Sequence, residues 1–245
     1  MTLRLALFSD IHGNVRALDA CLEDLRVQGN ADAIVGVGDY CMDGPQPRAV
    51  LERLQEVGAV CLRGNTDRYV SDLESFPADS DEDGAALKWQ REQLGTAWVA
   101  WLADLPFALH FGEGPDGLLA VHANPKTDDE HIWPDAPDAF LERVTSRVVE
   151  RTIAFGHLHL PYARVWRDKL LVNVASAGLP KDGDPRAGYA ILTQRSGGWQ
   201  VKHRRVVFDV EKVARDIEKS GMPEAEKRVR VLRRGRYKQL EASIP

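Results

Sequence analysis

Cysteine is scarce in this chain, and so are long apolar runs, linkers and excess positive charge. Only Cys21, Cys41 and Cys61 occur, an odd number with no Cys-x-x-Cys pair. That spacing suggests neither a disulfide framework nor a thiolate zinc site. Cys21 falls on the apolar side of a helical pattern and Cys61 ends a strand pattern, so both are expected in the core of a protein from a reducing cytoplasm. No apolar stretch approaches the roughly 20 residues that span a bilayer. The opening Met1-Thr2-Leu3-Arg4-Leu5 leads directly into a strand pattern rather than a secretory signal. Internal repeats, low-complexity tracts and Pro/Ser/Gly-rich linkers are absent, so the 245 residues are expected to form one domain, 1–245. The net charge of −5 argues against a surface with general nucleic-acid affinity.

What is present is an alternation of short apolar runs with helical patterns. Leu3–Phe8, Ala33–Val37 and Ala59–Leu62 read as buried strands. Between them Val15, Leu18, Leu22 and Leu25, then Val50, Leu51, Leu54 and Val57, recur at helical steps. This β-α-β-α-β order implies parallel neighbours with right-handed crossovers. The acidic stretch 75–84 reads as an exposed loop, followed by helices over 85–93 and 96–103. Strands then dominate, at 107–111, 118–121, 152–155, 162–166, 170–174, 187–192 and 199–207, with a helix between 138 and 149. Turn signals at Gly114-Pro115-Asp116-Gly117 and Gly197-Gly198 predict hairpins, hence a more antiparallel or mixed sheet in the second half. Two helices over about 209–235 close the chain, and the basic stretch 227–238 reads as a solvated helix face rather than an anion contact.

Five motifs carry chemistry: Asp10-Ile11-His12, Gly38-Asp39, Gly64-Asn65-Thr66-Asp67, His122 and Gly156-His157-Leu158-His159. Each alone is weak, since an Asp-x-His can be a surface pair and a Gly-Asp a turn. Together they offer two carboxylates, one amide and four of the seven histidines. Nearly all follow a strand pattern, so they are expected to converge at the carboxyl ends of strands, where open α/β sheets place their sites. Mixed His/Asp/Asn donors suit Mn, Fe, Zn, Co or Ni better than Ca or Mg. Two such ions about 3.5–4 Å apart can clamp a phosphoryl group during displacement, with Asp39 as the candidate bridging carboxylate.

These motifs, from Ser9-Asp10-Ile11-His12-Gly13-Asn14 through Gly156-His157-Leu158-His159, resemble the signature of the calcineurin-like metallophosphoesterases. The segments 171–180 and 182–187 resemble the close of a bacterial branch related to phosphodiesterases and diadenosine tetraphosphatases. The resemblance implies an α/β fold, a four-layer α/β/β/α sandwich of two mixed sheets flanked by helices. It implies one divalent ion on Asp10, His12 and His159, another on Asn65, His122 and His157, and Asp39 between them. It further implies a phosphoester substrate, possibly a nucleotide, attacked by a hydroxide bridging the metals. Asn14 and Arg63 are candidates for substrate contact, and Asn65, Asp67 and His131 for catalysis. Thr66 departs from the family's Gly-Asn-His pattern, because a threonine hydroxyl is too weak an acid to protonate a leaving oxygen. That favours phosphodiesters over monoesters; His131 either replaces the missing acid, belongs to a lid over 126–135, or is simply exposed. The rival readings are a dinucleoside polyphosphate hydrolase, a protein phosphatase, or a non-enzymatic scaffold for protein binding like the retromer subunit of the same fold.

Overall fold

Period-two alternation along the strands sets the layers. The computed structural model describes residues 2–77 and 81–236. In the first strand, β1 (Arg4–Phe8), Leu5 and Leu7 enter one apolar cluster while Ala6 and Phe8 enter another on the opposite face. The next strands are β2 (Ala33–Val37), β3 (Val60–Leu62), β4 (Ala108–Phe111), β5 (Leu118–Val121) and β6 (Thr152–Phe155). They are followed by β7 (Tyr162–Trp166), β8 (Lys169–Asn173), β9 (Ala187–Arg195) and β10 (Gly198–Val206). These strands form two mixed sheets, ordered β10-β9-β1-β2-β3 and β4-β5-β6-β8-β7. Leu5, Leu7, Val35, Val37 and Leu62 of the first sheet meet Leu118, Ala120, Ala154 and Val172 of the second to form the inter-sheet core. Each such side chain contributes about 1.5–3 kcal/mol by burial.

Helices cover the outer faces. α1 (Val15–Val27), α2 (Pro47–Glu56) and α4 (Asp81–Ala103) supply Leu18, Cys21, Leu51, Leu54, Leu87 and Leu102 to the cluster that also holds Ala6 and Phe8. α5 (Asp138–Thr145) places Leu141 against Leu119, Val121, Ile153 and Phe155. The architecture is therefore helices, sheet, sheet, helix: the four-layer α/β sandwich expected from the resemblance. α6 (Val210–Lys219) and α7 (Ala225–Arg234) form a separate apolar cluster with Leu179.

Several expectations are corrected. The last two strands do not stay with the second half. β9 returns to pair antiparallel with β1, Ala6 opposite Ile191, because Ala190 and Leu192 fill the inter-sheet core while Tyr189 stacks on Phe8 with ring centroids 4.9 Å apart. A short helix, α3 (Asn65–Ser71), occupies a stretch to which the sequence patterns assign no element. Its seven polar-rich residues are too few to show a helical apolar stripe. Within the expected acidic loop, residues 78–80 lie outside the described residues and α4 already starts at Asp81. The two helices expected after it are both present, and the break between them falls at Gly95, whose φ of 73° leaves the helical path. The helix expected to reach 149 stops at Thr145.

Candidate dimetal site

The parallel strands β1, β2 and β3 end side by side, and so do β5 and β6. The loops that follow aim their side chains at one place. Five of the seven candidate ligands have left-handed backbone: Asp10 (φ 53°), His12 (48°), Asp39 (58°), His157 (64°) and His159 (59°). Such residues are uncommon outside glycine, cost about 1–3 kcal/mol each, and gather at functional sites. Cross-loop hydrogen bonds hold them there. Asp10 N–H donates to Gly38 O at 3.0 Å, His12 N–H to Asp39 O at 3.0 Å, and Gly156 N–H to His122 O at 2.8 Å. The approach is too close for larger residues: a Cβ on Gly156 would overlap Ser9 Oγ and lie 2.6 Å from Asp10 Oδ2.

Two ligand clusters result, one of Asp10, His12 and His159 and one of Asp39, His122 and His157. In the first, His159 Nε2 lies 3.2 Å from Asp10 Oδ1 and 3.3 Å from His12 Nε2. In the second, His122 Nε2 lies 3.3 Å from Asp39 Oδ1 and 3.0 Å from Asn65 Oδ1. Asp39 faces both, since its other oxygen, Oδ2, is 3.8 Å from His12 Nε2.

Backbone carbonyls set the direction of each ring. Nδ1 of His12, His122 and His159 bonds Cys41 O (3.2 Å), Val37 O (2.8 Å) and Leu179 O (2.5 Å). A carbonyl only accepts, so those nitrogens carry the proton and Nε2 faces inward. His157 is reversed: its Nε2 donates to Asp129 O at 2.8 Å, which leaves Nδ1 as the nitrogen with a lone pair to offer. Partners of this kind fix tautomer and ring orientation at metal sites.

Burial drives His12, His157 and His159 below the usual histidine range, His157 to about 3. They are neutral imidazoles with available lone pairs at physiological pH. Burial acts in the same sense on His122, but the charge of Asp39 outweighs it and carries that ring up to about 10. Burial also pushes Asp10 up to about 6. For Asp39 burial acts upward too, yet His122 and His12 prevail and hold its carboxyl below the usual range.

The donor set fits divalent cations on its own terms. The inward lone pairs of His12 and His159 face each other at 3.3 Å beside a buried carboxylate, and no protein donor lies between them among the described residues. Only a proton or a cation relieves such a contact. Residues 3–180 match the calcineurin-like phosphoesterase family. The chain belongs to that family. Phosphodiesterase YfcE of Escherichia coli K12 is 28% identical to this phosphoesterase over 201 residues, covering 78% of this chain and 87% of YfcE. An uncharacterized protein of Methanocaldococcus jannaschii is 27% identical over 237 residues, covering 90% and 94% of the two chains. The crystal structure of a metallophosphoesterase from Sphaerobacter thermophilus superposes with a TM-score of 0.74 at 25% identity, covering 95% of this chain and 99% of that one.

Other predicted site residues of this phosphoesterase take different places. Asn14, expected as a substrate contact, braces the loop that carries it. Its Oδ1 caps α1 by accepting from Ala17 N–H (3.1 Å), and its Nδ2 donates to Gly178 O (2.9 Å). Asp67, expected among the catalytic candidates, has both its oxygens in use as a clamp. Oδ2 accepts from Asp39 N–H (2.8 Å) and Gly64 N–H (3.0 Å), and Oδ1 from Tyr40 N–H (3.0 Å). Arg63 donates its backbone N–H to Pro106 O at 2.9 Å, its Nε is enclosed without a partner, and no hydrogen bond or ion pair joins it to the clusters. Thr66 donates its N–H to Asp39 Oδ1 (3.0 Å) and its hydroxyl to Cys41 O (3.4 Å). His131 does lie at the site, with its ring centroid 4.1 Å from that of His157. Burial and the nearby charges of Lys181 and His122 lower it to about 4, so it is a neutral imidazole at physiological pH.

Lys181 was missed. It directly follows the Gly178-Leu179-Pro180 segment, and its backbone N–H reaches His159 O at 3.5 Å. Burial is the main cause that lowers His12, His131 and His159, and the charge of Lys181 acts in the same direction on all three. The sequence signal was its position immediately after the family-like segment. The basic C-terminal stretch is also not wholly solvated: Arg228 of α7 pairs with Asp43, whose Oδ2 is 3.6 Å from His12 Nδ1. Residues 237 and 238 of that stretch lie outside the described residues.

Proposed function

We propose that this phosphoesterase hydrolyses phosphodiesters at a centre of two divalent transition-metal ions. One ion would be held by Asp10, His12 and His159 and the other by Asn65, His122 and His157, with Asp39 shared. The observation that carries this reading is Asp39, whose two oxygens face the two clusters, Oδ1 toward His122 at 3.3 Å and Oδ2 toward His12 at 3.8 Å. When bound, such a pair supplies positive charge against phosphoryl oxygens and a water acidic enough to ionise near neutral pH.

The chain's own residues do the remaining work. The carbonyls of Cys41, Val37, Leu179 and Asp129 keep the four rings pointed inward, so the site is preorganised before substrate arrives. Lys181 offers a cation for the non-reacting phosphoryl oxygens, and Asn65 an amide. No strong acid stands at position 66, since the Thr66 hydroxyl is turned to Cys41 O. That supports esters whose departing group is stabilised over monoesters of poor leaving groups. The likeness to YfcE at 28% identity supports the diester preference. Mn, Fe, Zn, Co and Ni all suit this N/O donor set, and manganese is the first to test. The three cysteines are free and buried, which supports a reducing, cytoplasmic location.

The experiment is hydrolysis of bis(p-nitrophenyl) phosphate after chelator stripping and separate addition of Mn²⁺, Fe²⁺, Zn²⁺, Co²⁺ and Ni²⁺. Restored turnover that Asp39→Asn removes is the expected result. No turnover with any of these ions overturns the reading.

A further inference from the structure

The two helices α6 and α7 close against one ligand cluster and not the other. They bury Val213, Ile217, Met222, Val229 and Leu232 around Leu179, the residue whose carbonyl accepts from His159 Nδ1 at 2.5 Å. Where Val213, Ile217 and Leu232 approach His12, Asp43 and Leu179, the space left is only ≈ 10 Å³, no more than one water fills.

Polar ties reinforce that contact. Arg228 of α7 pairs with Asp43, whose Oδ2 is 3.6 Å from His12 Nδ1. Arg16, in the first turn of α1 and four residues past His12, donates to Asp216 of α6 at 2.6 Å. Gly183 N–H donates to Gly235 O, just past α7, at 2.6 Å. The Arg228–Asp43 pair is largely enclosed, with 13% and 25% of the two side chains exposed. Both of its ends carry left-handed backbone: Met42 (φ 64°) and Asp43 (61°) on one side, and Glu224 (56°), which begins α7, on the other. Such conformations persist only where their surroundings over-determine them. The second cluster is supported differently. The carbonyl that holds His122 belongs to Val37 in the inter-sheet core, and the one that holds His157 belongs to Asp129 in the loop 126–135. Among the described residues no hydrogen bond or ion pair joins α6 or α7 to Asn65, His122 or His157.

We propose that α6 and α7 brace the first cluster alone, and that Arg228 is a positioning residue for His12, acting through Asp43. This rests on the dimetal reading above. It adds that the two ions have separable supports, so the affinity for one can change without the other. Partners behind a ligating histidine commonly govern metal affinity by tenfold or more, and here those partners are themselves held by the C-terminal helices.

Two readouts test it. In the metal-free protein, Arg228→Met and the charge-neutral Leu232→Ala should each shift the nuclear magnetic resonance signals of the His12 and His159 rings and leave those of His122 and His157 in place. Isothermal titration with Mn²⁺ then reads each ion separately, because His157→Ala keeps the first cluster whole and His159→Ala the second. Adding Arg228→Met should weaken Mn²⁺ binding about tenfold in the His157→Ala protein and leave it unchanged in the His159→Ala protein. Charge alone gives the opposite sign, since taking a cation away from a dication's site tightens binding. Leu232→Ala should act in the same direction as Arg228→Met, and Arg228→Lys should keep most of the affinity. Circular dichroism should confirm that each variant folds. Equal losses at both clusters, tighter binding at the first, or unmoved His12 and His159 signals overturn the brace. A wild type that binds no Mn²⁺ sinks the proposed function, and the ring signals of the metal-free protein still decide the brace.

Discussion

Asp67→Asn exchanges one carboxylate oxygen for an amide nitrogen where both oxygens are in use. The amide can keep its oxygen on the N–H groups of Asp39 and Gly64, which sit 2.8 and 3.0 Å from Asp67 Oδ2. Its nitrogen then faces the Tyr40 N–H, which now lies 3.0 Å from Oδ1, and that buried donor loses its acceptor at a cost of about 1–3 kcal/mol. The two surviving bonds lose their charge assistance, about 1 kcal/mol each. The sum is about 3–5 kcal/mol, and at about 2–4 °C per kcal/mol for a chain of this size Tm should fall by roughly 6–20 °C. Burial pushes the Asp67 carboxyl up to about 7, so the comparison belongs at pH 8, where the wild-type group is ionised.

The assay is thermal unfolding of metal-free wild type and variant by circular dichroism, with Mn²⁺ titration of each. The released N–H belongs to Tyr40, next in the chain to Asp39, whose own N–H keeps only a weakened bond to position 67. Metal affinity should therefore fall along with Tm. If Asp67 took part in the reaction itself, the variant would lose kcat while Tm and metal binding stayed put. A Tm within about 2 °C of wild type, together with full metal occupancy, would refute the clamp.

Three further outcomes are expected. His122, raised to about 10, holds a proton in the metal-free protein. Metal binding must displace it, so affinity rises with pH across the neutral range; titration heats that do not depend on buffer ionisation enthalpy would contradict this. Asp24 is held below the usual carboxylate range by Arg204, which grips it at 2.7 and 2.9 Å, and by Tyr189 at 2.8 Å. A depressed carboxyl gives stability that is present above the unfolded pKa of about 3.9 and lost as pH falls through the folded value. Asp24→Asn should thus cost about 1–2 kcal/mol at pH 7 and much less near pH 2, and an equal loss at both would be inconsistent with that linkage. Thr66→His should raise monoester relative to diester hydrolysis, and an unchanged ratio would mean that the missing acid does not set the preference.

The residues that gather at the site were legible because each stands just past a short apolar run. A strand's end and a glycine turn are local features, so Gly38-Asp39 and Gly156-His157-Leu158-His159 announced themselves. What each side chain does once there depends on partners far away in the chain. Asn14 and Asp39 both follow turns and both are buried, yet one caps a helix and the other faces two ligand clusters. Nothing within either motif separates the two roles. The return of β9 to the first sheet was equally hidden, since Tyr189 and Ala190 show their opposite faces only once Phe8 is seen stacked on the former.

The rings make the same point in finer detail. Gly-His-x-His told that two imidazoles could converge, but not that they would present different nitrogens. His159 turns Nε2 inward because Leu179 O takes its Nδ1, and His157 turns Nδ1 inward because Asp129 O takes its Nε2. Those carbonyls come from two loops, 20 and 28 residues distant from their rings. The loop that supplies Asp129 also carries His131 and Trp133. The segment that orients one candidate ligand thereby also lines a surface cavity, through Asp129, His131 and Trp133. Substitutions in that loop should for this reason alter metal binding, even where they touch neither ion nor phosphate.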